Sequence, residues 1–305
     1  MAKDAKQGPE KGMVNVVMTG ATAGFGLFTA GKILDAGHRL IIGARNPDAI
    51  PAEIIGRTSV ERLDLNSLTQ VRAFSNAVSG SKIDVLILNA GIQLSKPTRS
   101  EDGFEQTFAV NHLSHYLLLR LLADSIAREG RVILTGSGTH DPAEKTPITP
   151  PIHAIAEYLA YPERDPRQET RILQSVFRAY TSSKLCNIMT AREFSKRYPS
   201  LSVMSFDPAY VPHTSLGRNN PKLIAKAVSF ILPHIMKRDR SSTIARSGQF
   251  LADLALEQKY AASRGNYWAV RGSQMMEVAP SALARDAVAS AKLWDDSARL
   301  AGIVI

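Results

Sequence analysis

Tyr180 and Lys184, in the run Tyr180-Thr181-Ser182-Ser183-Lys184, could move a proton together. An i,i+4 spacing puts them on one face of a helix. There an ammonium beside a phenol favours phenolate and lowers the tyrosine pKa from about 10 toward the range of general acid–base work. Such pairs arise often by chance, so their weight depends on what accompanies them. Here the companion is Thr19-Gly20-Ala21-Thr22-Ala23-Gly24-Phe25-Gly26, directly after an apolar run and opening a helix. Helix N-terminal amides attract phosphate, and glycines let the backbone turn tightly against a pyrophosphate, so this context favours a dinucleotide over a merely structural turn. The next strand ends in Gly43-Ala44-Arg45-Asn46. Ala44 stands near the place where an acid would hold the ribose 2′-hydroxyl of NAD, and no acid is there. Arg45 instead offers a guanidinium to the 2′-phosphate of NADP(H).

These residues need a scaffold, and the apolar pattern supplies one. Short apolar runs at Val14–Met18, Leu40–Ile42, Val60–Leu65, Val85–Leu88, Val132–Leu134, Leu201–Phe206 and Asn266–Val270 read as buried parallel strands. Helix-length segments lie between them: Gly24–Ala36, Ser67–Val78, Gly103–Ala127, Tyr180–Arg197, Ser241–Leu256 and a last one near Ala284–Leu300. Strand and helix in alternation predict an α/β fold with a doubly wound parallel sheet, a single domain over 13–305 behind a disordered tail at 1–12. Two segments interrupt the rhythm. Residues 138–174 carry Pro142, Pro147, Pro150, Pro151, Pro162 and Pro166, which predicts an irregular excursion. Residues 215–240 join a basic cluster to the apolar run from Ser229 to Met236. Both follow strands at their carboxyl ends, where open α/β sheets bind ligands, and so read as substrate-side elements.

Composition narrows the class. With 305 residues and 44% hydrophobic content the chain can bury a large core, which excludes bulk disorder. A single cysteine, Cys186, excludes internal disulfides and multi-cysteine metal sites and suits a reducing compartment. The charged opening and the absence of a long apolar window argue against a signal peptide or a spanning helix, so a cytoplasmic protein is expected. The net charge is +9, and six of those charges come from the stretch between Arg218 and Arg246. That stretch has three readings: a lid whose Phe230, Ile231, Leu232, Ile235 and Met236 line an apolar pocket, which is favoured; a peripheral contact of 218–240 with an anionic membrane; or packing on a second subunit of a homo-oligomer. No nucleic-acid motif accompanies it, so nucleic acid is not expected as a partner.

The set Thr19-Gly20-(x)3-Gly24-x-Gly26, Asn89-Ala90-Gly91, Asn111, Ser137 and Tyr180-(x)3-Lys184 resembles the short-chain dehydrogenase/reductase family, in its non-extended branch, over about residues 13–300. Val110-Asn111-His112-Leu113-Ser114-His115-Tyr116, Ser183-Lys184-Leu185-Cys186-Asn187 and Gly265-Asn266-Tyr267-Trp268 are similar to its retinol dehydrogenase and light-dependent protochlorophyllide reductase group. The resemblance implies a Rossmann-type fold. It makes Tyr180 the proton donor or acceptor, with Lys184 lowering its pKa and holding the nicotinamide ribose. It makes Ser137 the donor that steadies the substrate oxygen, and Asn111 the anchor of a water chain to Lys184. For the cofactor it implies contacts from Gly20, Thr22, Gly24, Phe25, Gly26, Arg45 and Asn46. Asp64 and Leu65 would meet the adenine, Asn89, Ala90 and Gly91 the adenine ribose, and Pro208, Val211 and Thr214 would lie near the nicotinamide.

Three departures stand out. Pro208-Ala209 replaces the usual Pro-Gly, which predicts a less free backbone there. Gly136 stands where a first serine is common, leaving Ser137 as the candidate. Ser137 and Tyr180 lie farther apart than is usual, by a stretch that falls in the Pro-rich excursion. Cys186 reads as a buried small hydrophobe, although the protochlorophyllide reductase resemblance hints at a role for it. His112 and His115 read as structural. The expected activity is NADP(H)-dependent interconversion of a carbonyl and an alcohol on an apolar small molecule. The alternatives are reduction of an activated C=C bond and a non-catalytic NADP(H)-binding sensor or scaffold.

Overall fold

Side chains alternate across each strand, and here they alternate between two cores. In β1 (Asn15–Thr19), Val16 and Met18 join one buried cluster and Val17 joins the other. The computed structural model describes residues 12–212 and 238–304. Eight strands make one sheet in the order β3-β2-β1-β4-β5-β6-β7-β8: β1, β2 Arg39–Ala44, β3 Ser59–Arg62, β4 Ile83–Leu88, β5 Ile126–Thr135, β6 Ser202–Asp207, β7 Arg264–Arg271 and β8 Gln274–Glu277. All neighbours are parallel except β7 and β8, which pair antiparallel. The chain reverses its winding between β1 and β4, so their carboxyl ends open the crevice in which such sheets bind ligands. The expected doubly wound, Rossmann-type sheet is present. The four-residue β8, too short and polar to stand out by periodicity, was not anticipated.

Helices cover both faces. Helix α1 (Gly24–Asp35) and α7 (Ile244–Leu256) press Ala30, Ile33, Leu251 and Leu254 onto Val16, Met18 and Ile42. The Thr29 hydroxyl donates to the Gly248 carbonyl at 2.9 Å and ties the two helices together. The opposite face carries α2 (Leu68–Val78), α3 (Gln106–Phe108), α4 (Ser114–Leu122), α6 (Ile172–Arg197) and α9 (Ala287–Leu300).

Several boundaries differ from expectation, among them β5, which begins at Ile126 rather than Val132, and β3, which ends at Arg62 rather than Leu65. The helix read over 103–127 is divided: a π turn at Ala109–Leu113 separates α3 from α4, and Asn111 sits in that turn. Helix α6 starts at Ile172, so Tyr180 lies two turns inside it rather than at its opening. The last helix begins at Ala287, after a separate short α8 (Ala282–Arg285). The Pro-rich stretch runs through 3-10 turns and the short α5 (Ala156–Ala160) before α6 begins at Ile172. The backbone of Ile155 donates to His153 Nδ1, so the ring proton is on Nε2, which donates to Asp165 at 2.7 Å. Thr214 and nearly all of segment 215–240 lie outside the described residues. Among the described residues, no helix is long and apolar enough to cross a membrane.

Candidate active site

The loop after β1 is shaped by close contact with the end of β4. A Cβ on Gly26 would lie 2.0 Å from the Gly20 carbonyl oxygen, and one on Gly20 would lie 2.7 Å from Ala90 backbone atoms, so only glycine allows these approaches. Helix α1 then starts from Ala23, which has no side-chain oxygen to cap it. Its first amides therefore point at the crevice without a protein acceptor from the cap position. This cradle fits a dinucleotide pyrophosphate. Thr22, Gly24 and Phe25 are half-buried along it.

Behind the loop runs a buried hydrogen-bond chain. Thr19 Oγ1 accepts from the amides of Asn89 (3.0 Å) and Ala90 (3.1 Å), so its own proton goes to His115 Nε2 at 2.9 Å. The His115 Nδ1–H then donates to the Asn111 carbonyl at 3.0 Å. Asn89 Nδ2 donates to the Gly20 carbonyl and its Oδ1 accepts from Thr135, which joins β1, β4 and β5. Burial lowers the pKa of His115 to about 4 and that of His112 to about 3, so both rings are neutral members of the scaffold.

At the outer end of the crevice Arg45 and Asn46 are exposed after β2. Arg62, beside Ala44 in the β2–β3 register, is a second cation at that sheet edge that the sequence reading missed. Asp64 is half-buried and accepts from the Asn66 amide at 3.0 Å, and Leu65 is buried. Gly91 is not at this end: a Cβ there would be 3.4 Å from Lys184 Nζ and 3.3 Å from Asn111 Oδ1. The Asn89–Gly91 turn thus reaches the reacting end of the crevice.

There the four expected residues converge. Asn111 Oδ1 accepts from the Ile92 amide at 2.7 Å, and its Nδ2 donates to the Ile92 carbonyl and to Ser183 Oγ. The π turn brings this side chain into register with the β4 loop. The Asn111 carbonyl accepts from both His115 and Asn187, so a water reaching Lys184 would have to share it as a third donor. Lys184 is buried, donates to the Thr135 carbonyl at 3.2 Å, and lies with Nζ 5.8 Å from the centre of the Tyr180 ring. Burial brings its pKa down to about 8. The Tyr180 pKa is pushed up, first by burial and then by the Asp207 charge, with only the Ser137 hydroxyl pulling the other way. The lowering expected from the i,i+4 spacing is therefore not what the protein groups produce; desolvation of a phenolate outweighs it.

Ser137 follows β5 and begins the 3-10 turn Gly138–His140. Its Oγ accepts from the Thr139 amide (3.3 Å) and the Thr139 hydroxyl (3.0 Å), which leaves its own proton free to donate toward Tyr180 or a substrate oxygen. Its carbonyl accepts from His140 Nδ1–H at 2.7 Å, while His140 Nε2 accepts from the Ser281 amide at 3.0 Å. Sequence reasoning missed Thr139 and His140. Two polar residues just past the candidate serine were the available signal.

Past β6, Pro208 is half-buried and Val211 is buried. Ala209 has φ 59, the left-handed conformation that a glycine would take, so the backbone follows the glycine path after all, with strain of about 1 kcal/mol. Asp207 Oδ1 accepts the Ala209 amide at 3.0 Å, and Ser247 Oγ donates to the Pro208 carbonyl at 2.8 Å; these bonds hold the strained turn.

The chain is similar to known proteins in sequence and in fold. A family model described as short chain dehydrogenase matches residues 14–145. The chloroplastic protochlorophyllide reductase of Daucus carota is 30% identical over 315 residues, covering 95% of this chain and 78% of that protein. This chain belongs to the short-chain dehydrogenase family. It is accordingly an oxidoreductase, in a family that binds a nicotinamide cofactor. A candidate daunorubicin C-13 ketoreductase of Streptomyces sp. (strain C5) is 31% identical over 296 residues, covering 94% of this chain and 92% of that protein. Among solved structures, an uncharacterised protein from Mycobacterium paratuberculosis aligns with TM-score 0.71 at 25% identity, over 95% of this chain and 94% of that one.

Proposed function

We propose that the protein is an NADP(H)-dependent oxidoreductase that interconverts a ketone or aldehyde and an alcohol on an apolar small molecule. The observation that carries this reading is the Ser137 hydroxyl, with Thr139 on its oxygen and its proton free, beside the Tyr180 phenol and with Lys184 behind it. A nicotinamide held in the crevice by the glycine turn would supply hydride chemistry at the substrate carbon. Tyr180 gives its proton to the carbonyl oxygen in reduction and recovers it in oxidation. Ser137 donates to the same oxygen where negative charge develops. Lys184, an ammonium below a pH of about 8, supplies positive charge on the phenol's side. NADP(H) over NAD(H) is supported by Arg45, exposed and without an ion pair among the described residues, and by the missing acid after β2. Apolarity of the substrate is supported by the likeness to protochlorophyllide reductase.

A C=C reductase remains the second reading because of the protochlorophyllide reductase likeness. Cys186 lends it no help: the side chain is fully buried among Leu185, Ile188 and Met189, and burial pushes its thiol pKa up. The deciding experiment is NADPH consumption with a panel of aldehydes, ketones, quinones and enones, beside NADH and beside Tyr180→Phe. The expected result is turnover of an apolar carbonyl with NADPH that falls by roughly 10²–10⁴ in the variant at unchanged cofactor affinity. Near-normal turnover by Tyr180→Phe would overturn the mechanism, and turnover of the enones alone would favour the second reading. Tight NADPH binding without turnover would favour a sensor.

A further inference from the structure

Beneath the Ser137 turn lies a chain of alternating charges that starts at Asp207 and whose outer members the proposed reaction does not use. Asp207, the last residue of β6, is buried, and its Oδ2 is 3.0 Å from the point where a Cβ on Gly138 would stand. The same oxygen accepts from Arg271 Nη1 at 2.8 Å. Arg271 Nη2 donates to Glu144 Oε1 at 3.2 Å, and Arg240 reaches both Glu144 oxygens, at 2.7 and 2.6 Å. Side-chain exposure rises outward from 3% at Asp207 through 11% at Arg271 and 16% at Glu144 to 26% at Arg240. The chain therefore begins under the reacting groups and ends near the surface.

Such a chain is a poor device for stability alone. Burying Asp207 and Arg271 costs desolvation that their attraction only partly repays, and apolar residues of the same volume would often do as well or better. Its inner end, though, sits where charge matters for proton transfer. We propose that Asp207 is a positioning residue that tunes proton transfer at Tyr180 by its charge, with Arg271 holding that charge in check and Glu144 and Arg240 holding Arg271.

Among the described residues, the charged and titratable groups of this end are Lys184 on α6 and Asp207 on β6 beside Tyr180, and, linked to Asp207 or to the Ser137 turn, His140, Glu144 in the excursion, and Tyr267 and Arg271 on β7. His140 is neutral by burial and packs edge-on against Tyr267 at 5.2 Å. The Tyr267 hydroxyl is buried beside Asp207, and burial together with the Asp207 charge holds it protonated. Asp207 raises the pKa of Tyr180 as well. Among these neighbours Arg271 is the cation in direct contact with Asp207, so it decides how much of that negative charge the phenol feels.

The inference rests on Tyr180 as the proton-transfer group, so its test reads Tyr180 without turnover. A fluorinated tyrosine placed at position 180 titrates in an accessible range, and its phenolate absorbance gives the midpoint in the intact protein. Asp207→Asn keeps the acceptor for the Ala209 amide while removing the charge, and should lower the midpoint by about half a unit or more. Arg271→Met leaves Asp207 uncompensated and should raise it by a similar amount. Glu144→Gln serves if Arg271→Met fails to fold: it removes a more distant negative charge and should lower the midpoint by less than Asp207→Asn does. An unchanged midpoint in Asp207→Asn, or a shift in the same direction for Asp207→Asn and Arg271→Met, would overturn the proposal. With a carbonyl substrate in hand, the pH limb of kcat/KM should move in the same order. Titrations that shift as stated, with pH limbs that do not follow, would count against Tyr180 as proton donor and leave the electrostatic coupling standing.

Discussion

From β1 to β3 the crevice is built from backbone; from Ser137 to Arg271 it is built from side chains far apart in sequence. The nucleotide end consists of a glycine turn at Gly20, a helix that starts uncapped at Ala23, and amides of Asn89 and Ala90 gathered on one threonine. The reacting end depends on Asp207 meeting Arg271, Arg271 meeting Glu144, and His140 meeting Ser281, each pair more than sixty residues apart. A backbone site tolerates changes of side chain but no added Cβ. A side-chain site tolerates small shifts of backbone but no loss of charge balance.

The largest effect should come from Gly26→Ala. Its Cβ would overlap the Gly20 carbonyl oxygen at 2.0 Å, so the loop must open; we expect a loss on the order of 4 kcal/mol in urea denaturation, with loss of NADPH binding. A stable variant with intact binding would show that this end is less rigid than its contacts imply. Acid comes next. His112 and His115 are neutral in the fold and, below their ordinary value of 6.5, take up protons on unfolding, so stability should fall as the pH drops from about 6.5 toward 4. By pH 5 the loss should be on the order of 2 kcal/mol per histidine, and a variant at either position that lacks a titratable ring should flatten the pH dependence of Tm.

Arg45→Ala should weaken NADPH binding by roughly 1.5–3 kcal/mol in calorimetry and leave NADH nearly unaffected. Equal losses for both cofactors would remove Arg45 from the 2′-phosphate assignment. The smallest change is expected at Ala209, where glycine would relieve the strain of φ 59 but gain entropy when unfolded, for a net effect below about 1 kcal/mol in Tm analysis. A large loss there would mean that the Ala209 side chain itself contributes at the reacting end.

The contrast also explains which parts were legible beforehand. The glycine turn, the strand endings and the Tyr180–Lys184 pair are local patterns, and the family resemblance carried Asn111 and Ser137 to positions that the fold brings together. What escaped the reading were the π turn at Asn111, the hairpin strand β8, Thr139 and His140 around Ser137, and the partners of Asp207. An aspartate before a proline carries no mark of an arginine on the next strand. The pKa of Tyr180 went astray for a related reason: spacing places Lys184 on the same helix face, but burial and Asp207 act through space and outweigh it.

The sequence alone determined the alternation of seven parallel strands with helices, the glycine turn that suits a dinucleotide, and the residue types that can transfer a proton, because each depends on contacts within a few residues. Only the tertiary structure decided how those groups are charged, since charge inside a protein depends on solvent exclusion and on neighbours from other elements. It also decided that Ala209 takes a glycine's conformation, because Asp207 and Ser247 outweigh the strain that the residue type by itself would avoid.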